Sequence, residues 1–320
     1  MKTTIGVETA TAAELLRAGR VVAIPTETVY GLAANALWPP AVAEVFAVKN
    51  RPHFDPLIVH VGGVADVPRY AADFPAAARH LAEQFWPGPL TLLLPRRPMI
   101  PDLVTSGLER VALRTPDHPM TLELLGLLDF PLAAPSANPF GYVSPTTARH
   151  VYDQLHGHIP YILDGGACRV GLESTIVGFE AGVPVVYRLG GLPVEAIERA
   201  VGPVLVRTSQ SSNPAAPGML HSHYAPRKAL VLGSPESLIE AHAGKRVGVL
   251  LFSPRNLAGA TLSVVLSATG NLSEAAQRLF AALRTLDQAD IDLIVAERVP
   301  EVGLGRAIND RLMRAAGHRA

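Results

Sequence analysis

Residues 21–32 read VVAIPTETVYGL, an apolar run closed by a proline and followed at once by polar groups. The apolar run predicts a buried strand, because a short continuous apolar segment that ends at a turn signal is typical of a strand covered on both faces. The polar segment TETVYG then lies at the carboxyl end of that strand, which is where α/β sheets bind ligands. We therefore expect an α/β fold with a site here. A turn whose threonines only bond backbone groups is the alternative.

The same alternation of strand and helix patterns continues outward from this stretch. Residues 175–179 and 183–188 are close enough to form an antiparallel pair, so the predicted sheet is mixed and twisted. Thr11 and Glu14 have the spacing of a capping box before the first helix. Further strands are predicted over residues 57–61, 90–94, 111–114, 132–134 and 161–163, and helices over residues 12–18, 39–48, 76–85, 120–125 and 146–155.

The chain of 320 residues predicts two domains, because a single core usually stops growing at about 250 residues. The segment from residue 208 to residue 228 has no periodicity and is rich in Ser and Pro, so we interpret it as a linker. Its apolar and aromatic content is typical of a functional loop rather than a spacer. The predicted division is residues 1–207, the linker 208–228, and residues 229–320. The last unit has predicted strands over residues 229–232, 247–252 and 293–296 in a parallel sheet, and helices over residues 237–242, 274–286 and 306–315.

Composition excludes several classes of protein. Lys and Arg number 28 and so do Asp and Glu, and this balance argues against a protein that coats nucleic acid or an anionic membrane. Cys168 is the one cysteine of the sequence, so neither a disulfide framework nor a multi-cysteine metal site is expected. Apolar runs stay far below the ~20 residues of a membrane span, and the first residues lack the pattern of a secretory signal. We expect a cytoplasmic protein without a membrane partner.

Cations and hydroxyl groups recur next to the predicted strands. Lys49 and Arg51 stand two residues apart before Pro52 and can converge on one polyanion. The alternative interpretation is that Lys49 and Arg51 lie at an exposed C-terminal helix end, where cations interact favourably with the helix dipole. Arg114 closes an apolar run, so it faces inward in our interpretation and needs an anionic partner. Ser136 and Asn138 follow another strand in the segment APSANP.

Standard nucleotide and hydrolase motifs are missing from the sequence. It contains no G-x-x-x-x-G-K-[ST] loop, no G-x-G-x-x-G fingerprint, no H-E-x-x-H and no G-x-S-x-G elbow. His221 and His223 in the linker could bind a metal, but two loop histidines are usually only solvated. If a nucleotide binds, side chains such as Lys49, Arg51 and Arg188 must hold its phosphates.

Five motifs in this order carry a resemblance to a known family: PTETVYGL, KxRP with PLIVH, FWPGPLTLLL, APSANP, and ESTIV followed by YRLG. With PGM and HYAP in the linker, the chain resembles the threonylcarbamoyl-AMP synthase family, the YrdC-like proteins, in its longer two-domain form. The resemblance implies a YrdC-like twisted mixed sheet and a smaller Rossmann-like α/β domain at the C-terminal end.

The resemblance also implies a reaction. L-Threonine, bicarbonate and ATP give L-threonylcarbamoyladenylate and pyrophosphate, which feeds the t6A modification of tRNA at position 37. ATP is then a substrate, and Mg²⁺ is its expected companion. tRNA is a partner only indirectly, through downstream t6A transferase proteins. Such chemistry needs positioning and charge neutralisation more than a covalent nucleophile.

Family positions map onto this sequence residue by residue, and they leave the metal ligands unassigned. Asp55 stands where the family often has asparagine, and Arg110 where a small hydroxylated residue is common. The implied catalytic residues are Lys49, Arg51, Ser136 and Asn138. The implied ATP contacts are these four with Asp55, Arg110, Ser144, Arg188, His223 and Tyr224, and the implied threonine contacts are Thr28, His60, Arg114, Ala134 and Ser174.

Two other functions are open to this scaffold. An RNA-binding or regulatory module would need basic residues spread over a face with stacking aromatics, whereas aromatics are only 6% of the chain. A carbamoyltransferase domain of hydrogenase maturation would need zinc-finger cysteines, which a sequence with one cysteine does not have.

Overall fold

The apolar runs of the first 208 residues pair into one large mixed sheet. The computed structural model describes residues 1–208 and 224–317. Within these residues the strands of this sheet are β1 (Thr4–Gly6), β2 (Val22–Ile24), β3 (Gly31–Asn35), β4 (Ile58–His60), β5 (Leu90–Pro95), β6 (Arg110–Arg114), β7 (Leu132–Ala133), β8 (Tyr161–Leu163), β9 (Thr175–Glu180), β10 (Val183–Arg188) and β11 (Leu205–Val206). Their order across the sheet is β1-β8-β2-β3-β7-β4-β6-β5-β9-β10-β11.

Both strand directions occur in this sheet, as predicted. β2 runs antiparallel to β3, β4 runs parallel to β6, and β9 and β10 form the expected antiparallel pair. The polar segment after β2 is therefore a hairpin connection. Val22, Ala23 and Ile24 are fully buried, which explains their continuous apolar run.

Helices cover this sheet, most of them within a few residues of the predicted bounds. They are α1 (Thr9–Arg17), α2 (Pro39–Lys49), α3 (Val67–Tyr70), α4 (Ala76–Phe85), α5 (Asp102–Thr105), α6 (Pro119–Leu127), α7 (Ala148–Leu155) and α8 (Val194–Val201). The capping-box prediction was wrong: α1 begins at Thr9, so Thr11 and Glu14 lie inside the helix. Lys49 is the last residue of α2, and Asn50 then takes a left-handed φ of 50° that turns the chain towards Arg51.

A second, parallel sheet forms after residue 224. Its strands are β12 (Leu230–Leu232), β13 (Val247–Leu251), β14 (Ala260–Val265) and β15 (Leu293–Ala296), in the order β12-β15-β13-β14. Its helices are α9 (Pro235–Ala241), α10 (Leu272–Gln288) and α11 (Leu304–Ala316). The sequence did not predict β14, an edge strand whose Thr261 and Ser263 are exposed and weaken its apolar pattern. This smaller α/β unit was expected, while the domain bounds themselves stay a prediction.

Helices α10 and α11 of the second unit pack against the first. Phe280 and Leu283 of α10 share one apolar cluster with Val143 and Leu172. A Cβ on Gly171 would lie 2.4 Å from the Cα of Gln277, so the loop before β9 approaches α10 as closely as only glycine permits. This packing brings two helices of the second unit close to the predicted site. In residues 1–208 and 224–317 no helix combines the length and apolarity that crossing a membrane requires.

Candidate active site

One pocket gathers residues from the polar segment after β2, from the ends of β4 and β6, and from the loop after β7. The predicted site residues that line it are Thr28, Arg51, His60, Arg114, Ala134, Ser136, Ser174, Arg188 and Tyr224. Glu173 lines the same pocket; it stands in the candidate segment Glu173-Ser174-Thr175, but the sequence assigned it no contact.

Lys49 joins the two polar residues of the APSANP segment. Its Nζ donates hydrogen bonds of 2.5 Å to the backbone oxygens of Ser136 and Asn138. The Asn138 amide donates to the backbone oxygens of Pro139 and Tyr142, at 2.8 and 2.9 Å, and so holds its own loop. Lys49 is 1% exposed, and burial followed by the charge of Arg51 lowers its pKa well below the ordinary value. Lys49 therefore holds the loop that carries Ser136 to the pocket.

Arg51 lies at the pocket wall with a charge partner behind it. Its guanidinium lies 2.9 Å from a carboxylate oxygen of Asp55 and donates to the backbone oxygen of Pro56 at 2.8 Å. Asp55 is fully buried and does not line the pocket. In this structure Asp55 supports Arg51, so its position does not favour direct contact with a polyanion.

Arg188 and Ser174 form a second polar wall. The guanidinium of Arg188 donates to the backbone oxygen and to the hydroxyl of Ser174, both at 3.0 Å. Ser174 in turn lies 2.7 Å from the hydroxyl of Thr91. These contacts hold Arg188, the last residue of β10, at the pocket beside Ser174, which directly precedes β9.

Arg114 has the buried anionic partner that its position demanded. Its NH2 lies 2.6 Å from Oε1 of Glu27, and its Nε donates to the backbone oxygen of Gly88 at 3.2 Å. Glu27 also accepts a hydrogen bond from the backbone of Asp117. Glu27 stands inside the PTETVYGL motif, so a search for the partner of Arg114 among motif carboxylates could have found it.

His60 and Thr28 bring an uncharged surface to the same part of the pocket. His60 pairs with Arg114 in the register of β4 and β6. Burial, and then the charge of Arg114, lower the pKa of His60 to about 3, so the ring is neutral at pH 7. Thr26 accepts from the backbone amides of Thr28 and Val29, which is the turn role of the alternative interpretation, while Thr28 lines the pocket.

Ser144 reaches the pocket only through Glu173. Its hydroxyl donates to Oε1 of Glu173 at 2.6 Å, and Ser144 itself is fully buried. The other oxygen of Glu173 lies 2.9 Å from Nε of Arg311 on α11. No periodicity or motif in the sequence indicated that Arg311 is near this site.

Tyr224, near the C-terminal end of the linker over residues 208–228, also lines the pocket. It is 1% exposed, has a left-handed φ of 64°, and stacks on Phe280 with 5.7 Å between ring centroids. His223, the other predicted linker contact, lies outside the described residues.

The structure does not bring Arg110 to the pocket. Arg110 begins β6, at the other end of the strand from Arg114, and donates to the hydroxyl of Tyr187 at 3.0 Å. Its guanidinium also stacks over the Tyr187 ring at 5.0 Å. Position along the strand explains the difference, because at about 3.3 Å per residue four positions separate the two ends of β6 by about 13 Å.

Three buried guanidinium groups, from Arg51, Arg114 and Arg188, therefore share one pocket with neutral hydroxyl and imidazole groups. Such a set suits a ligand with several separated anionic groups. Within residues 1–208 and 224–317 no three His, Cys, Asp or Glu side chains come together in a way that could hold a metal ion. Three carboxylates at or beside the pocket, those of Glu27, Asp55 and Glu173, already contact arginines, so the protein side chains do not fit a resident Mg²⁺ site.

Fold and pocket together define an α/β protein of the Sua5/YciO/YrdC class. The family model described as "Telomere recombination" matches residues 14–190, and the model described as "Threonylcarbamoyl-AMP synthase, C-terminal domain" matches residues 192–317. The chain belongs to the threonylcarbamoyl-AMP synthase family. The prediction that it is an enzyme, a nucleotidyltransferase of that family, is therefore confirmed.

Relatives match over nearly their whole length. The chain is 44% identical to the threonylcarbamoyl-AMP synthase of Bacillus subtilis, with 97% of this chain and 93% of the relative covered. It is 42% identical to the synthase of Pyrococcus abyssi, covering 96% and 94%. The crystal structure of Pyrococcus abyssi Sua5 complexed with L-threonine superposes with a TM-score of 0.91 at 40% identity, over 99% of this chain and 98% of that one.

Proposed function

We propose that this protein makes L-threonylcarbamoyladenylate from L-threonine, bicarbonate and ATP, and that it releases pyrophosphate. The product would be handed to downstream t6A transferase proteins that modify tRNA at position 37. The observation that carries the proposal is the single pocket lined by Arg51, Arg114 and Arg188. The likeness to a relative crystallised with L-threonine supports threonine as one substrate.

Within that pocket we assign the cations to two substrates. Arg51 and Arg188, with the loop of Ser136 that Lys49 holds, bind the ATP phosphates. Arg114 binds the threonine carboxylate by a charge-assisted bond, and neutral His60 and Thr28 contact the rest of the amino acid. This division agrees with the charge of each region, because a neutral imidazole does not repel the threonine ammonium.

The reaction then has two bond-making steps. The free amine of threonine adds to CO₂ derived from bicarbonate and loses a proton, giving a carbamate. A carbamate oxygen attacks the α-phosphorus of ATP, and the bond from that phosphorus to the bridging oxygen breaks as pyrophosphate leaves. The buried cations stabilise charge on the departing pyrophosphate in a site of low dielectric. Tyr224 lines the pocket, where its ring would exclude water from the hydrolysable carbamate, whereas the lid that the family resemblance implies for residues 208–228 falls largely outside the described residues.

Mg²⁺ stays a prediction as a companion of the ATP phosphates, where it neutralises their charge. We derive no step through it, because the protein side chains around the pocket form no site for it.

The proposal is tested with the purified full-length protein, L-threonine, ¹³C-bicarbonate and ATP. We expect a threonylcarbamoyladenylate whose mass rises by one unit with the label, together with pyrophosphate. AMP without incorporated label, or no dependence on threonine, would refute the proposed reaction. Serine in place of threonine tests the contacts with the threonine methyl group.

One variant, Lys49→Ala, distinguishes the proposed enzyme from an RNA-binding module on the same fold. Lys49→Ala is expected to abolish pyrophosphate release, because the loop of Ser136 loses both of its bonds to Nζ. Binding of a tRNA anticodon stem-loop at a constant salt concentration is the matched measurement. A variant that loses RNA binding while it still turns over ATP would favour the module.

A further inference from the structure

Arg311 of the second unit lies behind the wall of the pocket. The residue is fully buried, its Nε lies 2.9 Å from Oε2 of Glu173, and its NH2 donates to the backbone oxygen of Leu189 at 2.8 Å. The guanidinium carbon also lies 4.8 Å from the ring centre of Tyr224. One side chain of α11 therefore contacts a pocket carboxylate, the loop after Arg188, and the linker tyrosine.

Glu173 places a negative charge where our proposed function places a triphosphate. It lines the pocket, and its Oε1 accepts the hydroxyl of Ser144 at 2.6 Å. An uncompensated carboxylate at this position would repel ATP strongly, because like charges in a desolvated site interact far more than in water. Arg188 also faces Glu173, but the proposed function assigns Arg188 to the phosphates, so Glu173 needs a second cation outside the pocket.

We propose that Arg311 is a positioning residue for ATP: it neutralises Glu173 and orients Tyr224 from the second unit without contacting the nucleotide. The inference rests on the proposed function and extends it, since it gives the smaller α/β unit a part in the ATP site. Asp310 also contacts Arg311, at 2.6 Å, but Asp310 keeps Arg314 as a partner at 3.0 Å. Removing the Arg311 charge therefore deprives Glu173 of its ion pair with α11, while Asp310 keeps an arginine partner.

The same helix offers a matched control. Arg306 of α11 lies 3.2 Å from Glu195 of the first unit, so it too joins the two units by an ion pair. Arg306 is partly exposed and does not line the pocket. Arg306→Met thus removes a cross-unit ion pair without changing the charge near Glu173.

The experiment compares Arg311→Met and Arg306→Met in the full-length protein, with KM values for ATP and for threonine measured separately. For Arg311→Met we expect the KM for ATP to rise about tenfold or more, while the KM for threonine stays within about twofold. Arg306→Met should leave both values unchanged. Equal increases in both KM values, or no increase for ATP, would overturn the inference.

A rescue variant separates neutralisation from simple packing. In the double variant Arg311→Met with Glu173→Gln, the glutamine keeps an oxygen for the Ser144 hydroxyl and carries no charge that needs compensation. We expect the KM for ATP to return most of the way to that of the wild type. A double variant as poor as Arg311→Met alone would show that the charge of Glu173 is not the cause.

A substitute variant and a binding assay separate a folding defect, and a failure of the proposed function, from a failure of this inference. If Arg311→Met does not fold, Arg311→Gln carries the test, and we expect the same rise in the KM for ATP because an amide has hydrogen-bond donors but no charge to neutralise Glu173. An unchanged KM in that variant overturns the inference. If the wild type binds a non-hydrolysable ATP analogue but makes no adenylate, the proposed function fails, and Arg311 is then judged by the Kd of the analogue. Wild-type protein that does not bind the analogue refutes both.

Discussion

The NH2 group of Arg114 lies 2.6 Å from the carboxylate of Glu27, and the two side chains are 4% and 1% exposed. Because the pair is desolvated, each charge depends on the other, and removing one partner leaves a buried charge uncompensated. The pair also lies at the pocket, so it links stability of the fold to recognition of the substrate.

Arg114→Ala should affect threonine far more than ATP. We expect the KM for threonine to rise by about a hundredfold and the KM for ATP by less than about threefold, because a buried charge-assisted bond to the carboxylate is lost. Steady-state kinetics with each substrate varied in turn gives both values. Equal effects on the two substrates would contradict our assignment of Arg114.

Glu27→Gln should destabilise the protein without changing its shape. We expect the free energy of unfolding to fall by about 3 kcal/mol, since the Arg114 charge stays buried without its partner. Denaturant titration of the variant and the wild type gives this difference. Glu180→Gln is the control, because Glu180 pairs with Arg207 on the surface and its loss should change stability by less than about 1 kcal/mol.

Lys49 should not be replaceable by arginine. Its ammonium lies 2.5 Å from two backbone oxygens in a buried space, and a planar guanidinium has a different size and donor geometry. We expect both Lys49→Ala and Lys49→Arg to lower kcat at least about a hundredfold. Pyrophosphate release measured at saturating substrates tests this, and normal turnover by Lys49→Arg would show that charge alone suffices.

His60 should make the protein less stable as the pH falls. Its folded pKa of about 3 lies below the ordinary 6.5, so the unfolded chain binds the extra proton first and stability decreases from about pH 6.5 down to pH 3. One such histidine contributes a slope of at most about 1.4 kcal/mol per pH unit. His60→Gln should reduce that slope in unfolding curves between pH 4 and 7. An unchanged slope would mean that His60 titrates normally in the folded state.

Tyr224 should protect the reaction from water. Tyr224→Ala removes the ring that stacks on Phe280, and we expect more AMP to appear per threonylcarbamoyladenylate formed. Tyr224→Phe keeps the ring and should resemble the wild type in this ratio. Mass spectrometry of both nucleotides gives the ratio, and an unchanged ratio in Tyr224→Ala would show that the Tyr224 ring does not exclude water.

The local patterns of the chain determined most of its elements and the strand ends at which its site lies. The apolar run ending at Pro25 predicted β2, and the alternation of patterns predicted a mixed α/β sheet. Motif residues such as Ser136 and Arg188 were expected near a ligand, and they line the pocket. Such features are readable because period, turn residues and strand ends depend on neighbours within a few positions.

Only the tertiary structure decided which charges meet. It paired Arg114 with Glu27, left Arg110 at the opposite end of its strand, and brought Arg311 to Glu173 across 138 positions of sequence. These pairings depend on strand order and on how α11 packs, which long-range burial of apolar surface determines. A sequence pattern shows that a buried arginine needs an anion, but the packed fold selects the anion.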